Sequence, residues 1–159
     1  MEDQEDRYDL RWFDHAAIAH TLTFSHGCRL SSLEHEWERE MAALWRLEAD
    51  VNNGAYLQFL GNWGRESYVY ASQALKKIGC RRMAELIDAC QSLVDEHATS
   101  SEQDEHEYLA LIGTLPEFVI ERTEELSREF MKYPEDLPRQ ALDYYEHYFE
   151  ELKGKKSDG

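Results

Sequence analysis

The sequence lacks the marks of most compartments and chemistries. Its three cysteines, Cys28, Cys80 and Cys90, are odd in number, far apart and without a CxxC pair. That pattern suits reduced, buried thiols rather than a disulfide framework. No apolar run approaches the roughly 18 residues that a membrane span requires. The opening Met1-Glu2-Asp3-Gln4-Glu5-Asp6 is acidic where a signal peptide carries positive charge. A cytoplasmic protein without membrane contact is the expectation. Internal repeats and period-two alternation are missing as well, which argues against solenoids and sheets.

Catalytic signatures are equally scarce. There is no GxSxG elbow, no GxGxxG and no Gly-rich phosphate loop. Seven histidines invite a metal, but their spacings are irregular, and His35-Glu36-Trp37-Glu38-Arg39 is not an HExxH. A di-iron bundle needs Glu-x-x-His motifs, and no histidine here has a glutamate three residues before it. Glu48 and Asp50, near Trp45 and Val51, come closest to a carboxylate in apolar surroundings, yet caps and solvent-facing charge explain them better. No metal, no cofactor and no enzymatic activity are expected.

What the chain has in abundance is acid: 33 Asp and Glu against 17 Lys and Arg, a net charge of −16 at pH 7. Such a field repels nucleic acid and attracts basic proteins, although acidity also serves solubility alone. Between Val51 and Ile87 the balance reverses, with two acids (Glu66, Glu85) and five bases (Arg65, Lys76, Lys77, Arg81, Arg82). That window is net +3 and the remainder net −19. A homodimer formed through the less acidic middle is one consequence.

Apolar residues recur at helical spacing nearly throughout. Leu10, Phe13, Ala17, Ile18 and Leu22 predict a first helix, stopped at Gly27. Ser31-Ser32-Leu33-Glu34 reads as a capping box opening a second, with Asn52-Asn53-Gly54 closing it. A short segment Ala55–Trp63, a helix from about Tyr68 to Ile78, and the stripe Met83, Leu86, Ile87, Cys90, Leu93, Val94 follow. Ser100 caps a helix over about Glu102–Leu115, Pro116 opens Glu117–Lys132, and Pro138 opens the last. The expectation is an all-α, single-domain bundle of about seven to eight helices over residues 8–152. Residues 1–7 and 153–159 are expected to be disordered ends.

The segment "LEADVNNGAYLQFLGN", followed by "ALKKIGCRRMAELIDA", resembles the hallmark of a bacterial family of acidic helical proteins named after a DNA-mimic member. That family's pattern is an acidic residue, Val-Asn-Asn-Gly-Gly-Phe, a Gln-aromatic pair and an Asn. Here Ala55-Tyr56 replaces Gly-Phe, Asn52, Asn53, Gly54, Gln58 and Asn62 match the motif, and Tyr56 fills its aromatic position. These residues are read as mainly structural, since amides at a helix end tie it to neighbouring backbone. The resemblance implies a DNA mimic whose partner is a basic DNA-binding protein, a transcription regulator or nucleoid protein. A mimic must present carboxylates at phosphate-like intervals, and helical residues four apart lie about 6 Å along the axis. Glu117, Glu121, Glu125 and Glu129, with Glu124 alongside, form such a row; Glu34/Glu38, Glu36/Glu40 and Glu146/Glu150 are shorter ones. Two alternatives remain open: an interaction or immunity-type protein using a salt-tolerant patch around Asn53–Asn62, and an enzyme of unfamiliar type.

Overall fold

The structure is a computed structural model that describes residues 2–98 and 112–158, with the side chains of residues 10–98 and 112–156. The chain is helical, with no strand among the described residues. α1 (Glu2–Thr21), α2 (Glu36–Gly54), α3 (Tyr56–Lys77) and α4 (Arg81–His97) are followed by α5 (Glu117–Met131), α6 (Leu137–Tyr145) and α7 (Phe149–Asp158). Short 3-10 turns occupy Phe24–His26, Leu30–Ser32 and Glu146–Tyr148. α2 lies at the centre, against α1 on one side and α3 on the other. α4 bridges α3 to α5, while α1 is covered by α6 and α7. Trp12, Met41, Leu44, Leu47, Tyr56, Phe59, Leu60, Phe130 and Tyr145 are among the fully buried side chains.

Several boundaries fall elsewhere than the sequence signals put them. Ser31 and Ser32 lie in the 3-10 turn, and α2 starts one turn later: Glu38, not Glu34, reaches back, accepting the His35 backbone N–H at 3.0 Å. Asn52-Asn53-Gly54 forms the last turn of α2, and the chain reverses at Ala55 instead, with φ 81° and ψ 174°. The two segments around Trp63 meet at Gly64, whose φ of 76° and ψ of −172° are not helical, so α3 is two helical stretches joined at a sharp kink where the sequence places a boundary. Conversely, the single C-terminal helix is divided by the turn at Glu146–Tyr148.

The ends also differ. Helix extends back through residues 2–7 in α1 and forward through Lys153 in α7. Lys155 is anchored by Glu34 and Glu38, a pairing across more than a hundred residues that no local signal announces. Most of the helix expected over Glu102–Leu115, with Ser100, lies outside the described residues.

Candidate functional site

α5 has a clean division of faces. Val119, Thr123, Leu126, Ser127 and Phe130 are buried, spaced by three and four. The opposite face carries Glu117, Glu121, Glu124, Glu125 and Glu129, all exposed. The expected row therefore exists as one outward stripe. Its charges are not equivalent. Arg122 pairs with Glu125 at 2.9 Å and Arg82 reaches Glu129 at 3.0 Å. Glu117, Glu121 and Glu124 make no ion pair among the described residues. Phe118 sits beside them, 58% exposed, with its ring edge-to-face against His97 at 5.0 Å.

The rows at the start of α2 behave differently, and here the expectation is corrected: Glu34 precedes the helix. Glu34 is exposed, but Glu38 is only 1% exposed, its carboxylate already engaged within the chain. Its Oε1 accepts both the His35 N–H at 3.0 Å and the Lys155 ammonium at 2.8 Å. Glu40 is likewise buried, held by the Tyr145 hydroxyl at 2.9 Å, Gln73 at 2.6 Å and Lys77 at 2.7 Å. α2 is the central helix, so part of its glutamate set faces neighbours rather than water. Periodicity alone does not show which helix will be central.

The amide-rich motif is a brace between helices. Asp50 accepts three side-chain donors: Trp63 Nε1 at 2.7 Å, Gln58 Nε2 at 3.2 Å and Asn62 Nδ2 at 3.2 Å. Asn52 Nδ2 donates to the Tyr133 hydroxyl at 3.0 Å, which donates onward to Glu48 Oε2 at 2.9 Å. Tyr56 is buried; its N–H donates to Ser127 Oγ at 2.9 Å and its hydroxyl to Gln91 Oε1 at 2.6 Å. A Cβ at Gly54 would overlap the Gln58 side-chain amide, so a larger residue there would push Gln58 away from Asp50. Asn53 and Asn62 lie exposed, whereas Tyr56 and Gln58 are committed to internal partners. Substituting either of the latter two tests folding before it tests binding.

Reactive groups are muted. Burial pushes the thiols of Cys80 and Cys90 up to about 12, which keeps both neutral. His20 is lowered to about 4 by burial and by the Arg46 cation, whose Nε donates to His20 Nδ1 at 3.0 Å. Arg46 itself is buried, bonded to Ser67, Thr23 and the Cys28 carbonyl and stacked on Trp63 at 4.1 Å. Among the described residues no three His, Cys, Asp or Glu side chains gather as metal ligands do. None of the helices there is long and apolar enough to cross a membrane.

Sequence reasoning missed two features: the buried Arg46–His20 cluster and the seating of Lys155. The first had a weak signal, an arginine inside the apolar run Leu44-Trp45-Arg46-Leu47. The second had none. Among known proteins, a family model described as DMP19-like protein matches residues 32–151. No curated protein and no solved structure matches the chain.

Proposed function

The chain belongs to the DMP19-like protein family, and from that premise we propose that it is a non-catalytic DNA mimic that occupies the DNA-binding surface of a basic protein. DMP19 is a DNA-mimic family, so membership supports the class of partner. The single observation that carries the reading for this chain is the outward face of α5. Five exposed carboxylates lie on it, four of them at one-turn intervals, backed by a continuous buried face. Like charges four apart cost a helix about 0.2–0.5 kcal/mol per pair, a repulsion that a partner's Lys and Arg would relieve. Binding of this type releases no counterions from a DNA duplex but obeys the same screening, so it weakens as salt rises.

Displacement tests the reading. The tagged protein is loaded with the DNA-binding proteins it retains from a bacterial lysate and washed with duplex DNA. Release of those proteins by the duplex supports mimicry. Retention that duplex leaves unchanged contradicts it.

One observation favours a second reading, a specific interaction protein whose binding survives salt. Phe118 places an exposed aromatic ring beside the acidic stripe, and apolar burial is not screened. Phe118→Ala would then weaken binding at high salt more than at low salt.

A further inference from the structure

Trp37, in the first turn of α2, forms the wall of a small cation seat. The Tyr148 ring stacks on it at 4.5 Å with 7° between planes, and the His35 ring at 5.6 Å. The Lys155 ammonium lies 5.8 Å from the Trp37 ring centroid, 2.8 Å from Glu38 Oε1 and 3.3 Å from Glu34 Oε2. The same ammonium thus meets a nearly inaccessible carboxylate, an exposed one and an aromatic face. Those are the elements of an ammonium receptor: charge-assisted hydrogen bonds and a cation–π wall. Separate carboxylates offering single oxygens suit the compact, point-like head of lysine better than the planar fork of arginine. His35 Nε2 closes the rim, 3.3 Å from Glu151 Oε1 and 3.8 Å from Glu34 Oε2.

We propose that Glu34, Glu38 and Trp37 form a lysine-binding seat, which Lys155 occupies from within the chain as a stand-in for a lysine of the basic partner. The proposal rests on the DNA-mimic reading for the class of partner alone. It makes the C-terminal helix an internal competitor: a partner lysine enters only as Lys155 leaves. A tethered competitor acts at an effective concentration on the order of millimolar, so isolated lysines are excluded and a surface bearing several is admitted. Burial pulls the Lys155 ammonium down, but the hydrogen bond and charge of Glu38, then of Glu34, outweigh it and hold its pKa above the usual lysine value. The occupant stays charged near neutrality, and exchange is therefore governed by competition rather than by pH.

The test uses the full chain, a tetralysine peptide and the indole N–H resonance of Trp37, assigned with Trp37→Phe. In Lys155→Gln the peptide shifts this resonance and binds at least five-fold more tightly than it binds there in the unsubstituted protein. Lys155→Arg keeps a cation in the seat, though a less well-fitting one, and gives a smaller gain than Lys155→Gln. Adding Glu38→Gln to Lys155→Gln, which leaves an oxygen to accept the His35 N–H, abolishes the gain. Equal affinity with and without Lys155, a Trp37 signal unmoved at saturating peptide, or a gain that survives Glu38→Gln would each overturn the proposal. Peptide bound on α5 is read separately, as the binding removed by Glu121→Lys with Glu125→Lys. Failure of the seat with that binding intact leaves the mimic reading standing; the reverse result removes the mimic surface and leaves the seat.

Discussion

Trp12 donates its indole N–H to Glu48 Oε1 at 2.9 Å, joining α1 to α2 inside the bundle where neither side chain meets water. The other oxygen of Glu48 accepts the Tyr133 hydroxyl at 2.9 Å, from the loop after α5. One buried carboxylate therefore ties three parts of the chain together. Glu48→Ala orphans the buried Trp12 indole N–H, at a cost of about 1–3 kcal/mol, and removes an acceptor from the half-buried Tyr133 hydroxyl. We expect destabilisation of about 2–4 kcal/mol, read as a lower urea midpoint at unchanged slope. Glu48→Gln retains an acceptor and destabilises less. A midpoint for Glu48→Ala equal to that of the unsubstituted protein would show that the carboxylate does not brace the fold.

Ala55 is strained. Its φ of 81° with ψ of 174° lies in a region open essentially to glycine and costs on the order of 1–3 kcal/mol for other residues. Ala55→Gly relieves the strain while adding freedom to the unfolded chain, an opposing effect of about 0.4–1 kcal/mol. The net expectation is a gain of about 1 kcal/mol and a higher melting temperature. Ala55→Val acts in the opposite direction. A melting temperature lowered by Ala55→Gly would contradict the assigned backbone.

The contrast between α5 and α2 explains how far the sequence can be read. On α5 the core residues Val119, Leu126 and Phe130 and the outward glutamates follow one helical period, so both faces are legible. At the start of α2 the same spacing links Glu34, which precedes the helix, to Glu38 within it, but the second is buried under a lysine from the far end of the chain. Long-range occupancy has no local signature. The same holds for helix starts: Ser31 with Glu34 and His35 with Glu38 both satisfy the spacing of a capping box, and the 3-10 turn at Leu30–Ser32 decides between them. The amide motif is legible as a helix end. Its brace around Asp50 needs the fold, because α3 brings Gln58, Asn62 and Trp63 back over that carboxylate.

Stability should fall with acid in a way that depends on His20. Its folded pKa is lowered from 6.5 to about 4, by burial and then by Arg46. The unfolded chain binds a proton below about pH 6.5 that the folded protein refuses. The contribution is therefore fully present above pH 6.5 and is lost as pH falls through about 4. His20→Gln keeps an acceptor for Arg46 Nε and does not titrate. Between about pH 7 and pH 4.5 the urea midpoint should drop further for the unsubstituted protein than for His20→Gln. Parallel curves would contradict the assignment.

Glu121 and Glu125 of the acidic stripe should contribute little to holding the fold. Glu121 and Glu125 are exposed and face like charges along α5. Glu121→Lys with Glu125→Lys removes that repulsion together with the Arg122–Glu125 ion pair, two exposed effects of opposite sign. The net change in stability should be no more than about 0.5–1 kcal/mol. Thermal melting and far-ultraviolet circular dichroism check this. A large destabilisation would make the stripe structural.

That neutrality permits the most direct test of the central claim, that the outward face of α5 receives a DNA-binding protein. The tagged protein and the Glu121→Lys/Glu125→Lys double variant are each exposed to the same bacterial lysate and eluted in steps of rising salt. DNA-binding proteins leaving the unsubstituted protein at moderate salt, and absent from the variant, are the predicted result. The same proteins eluting at the same salt from both, or none from either, would contradict it.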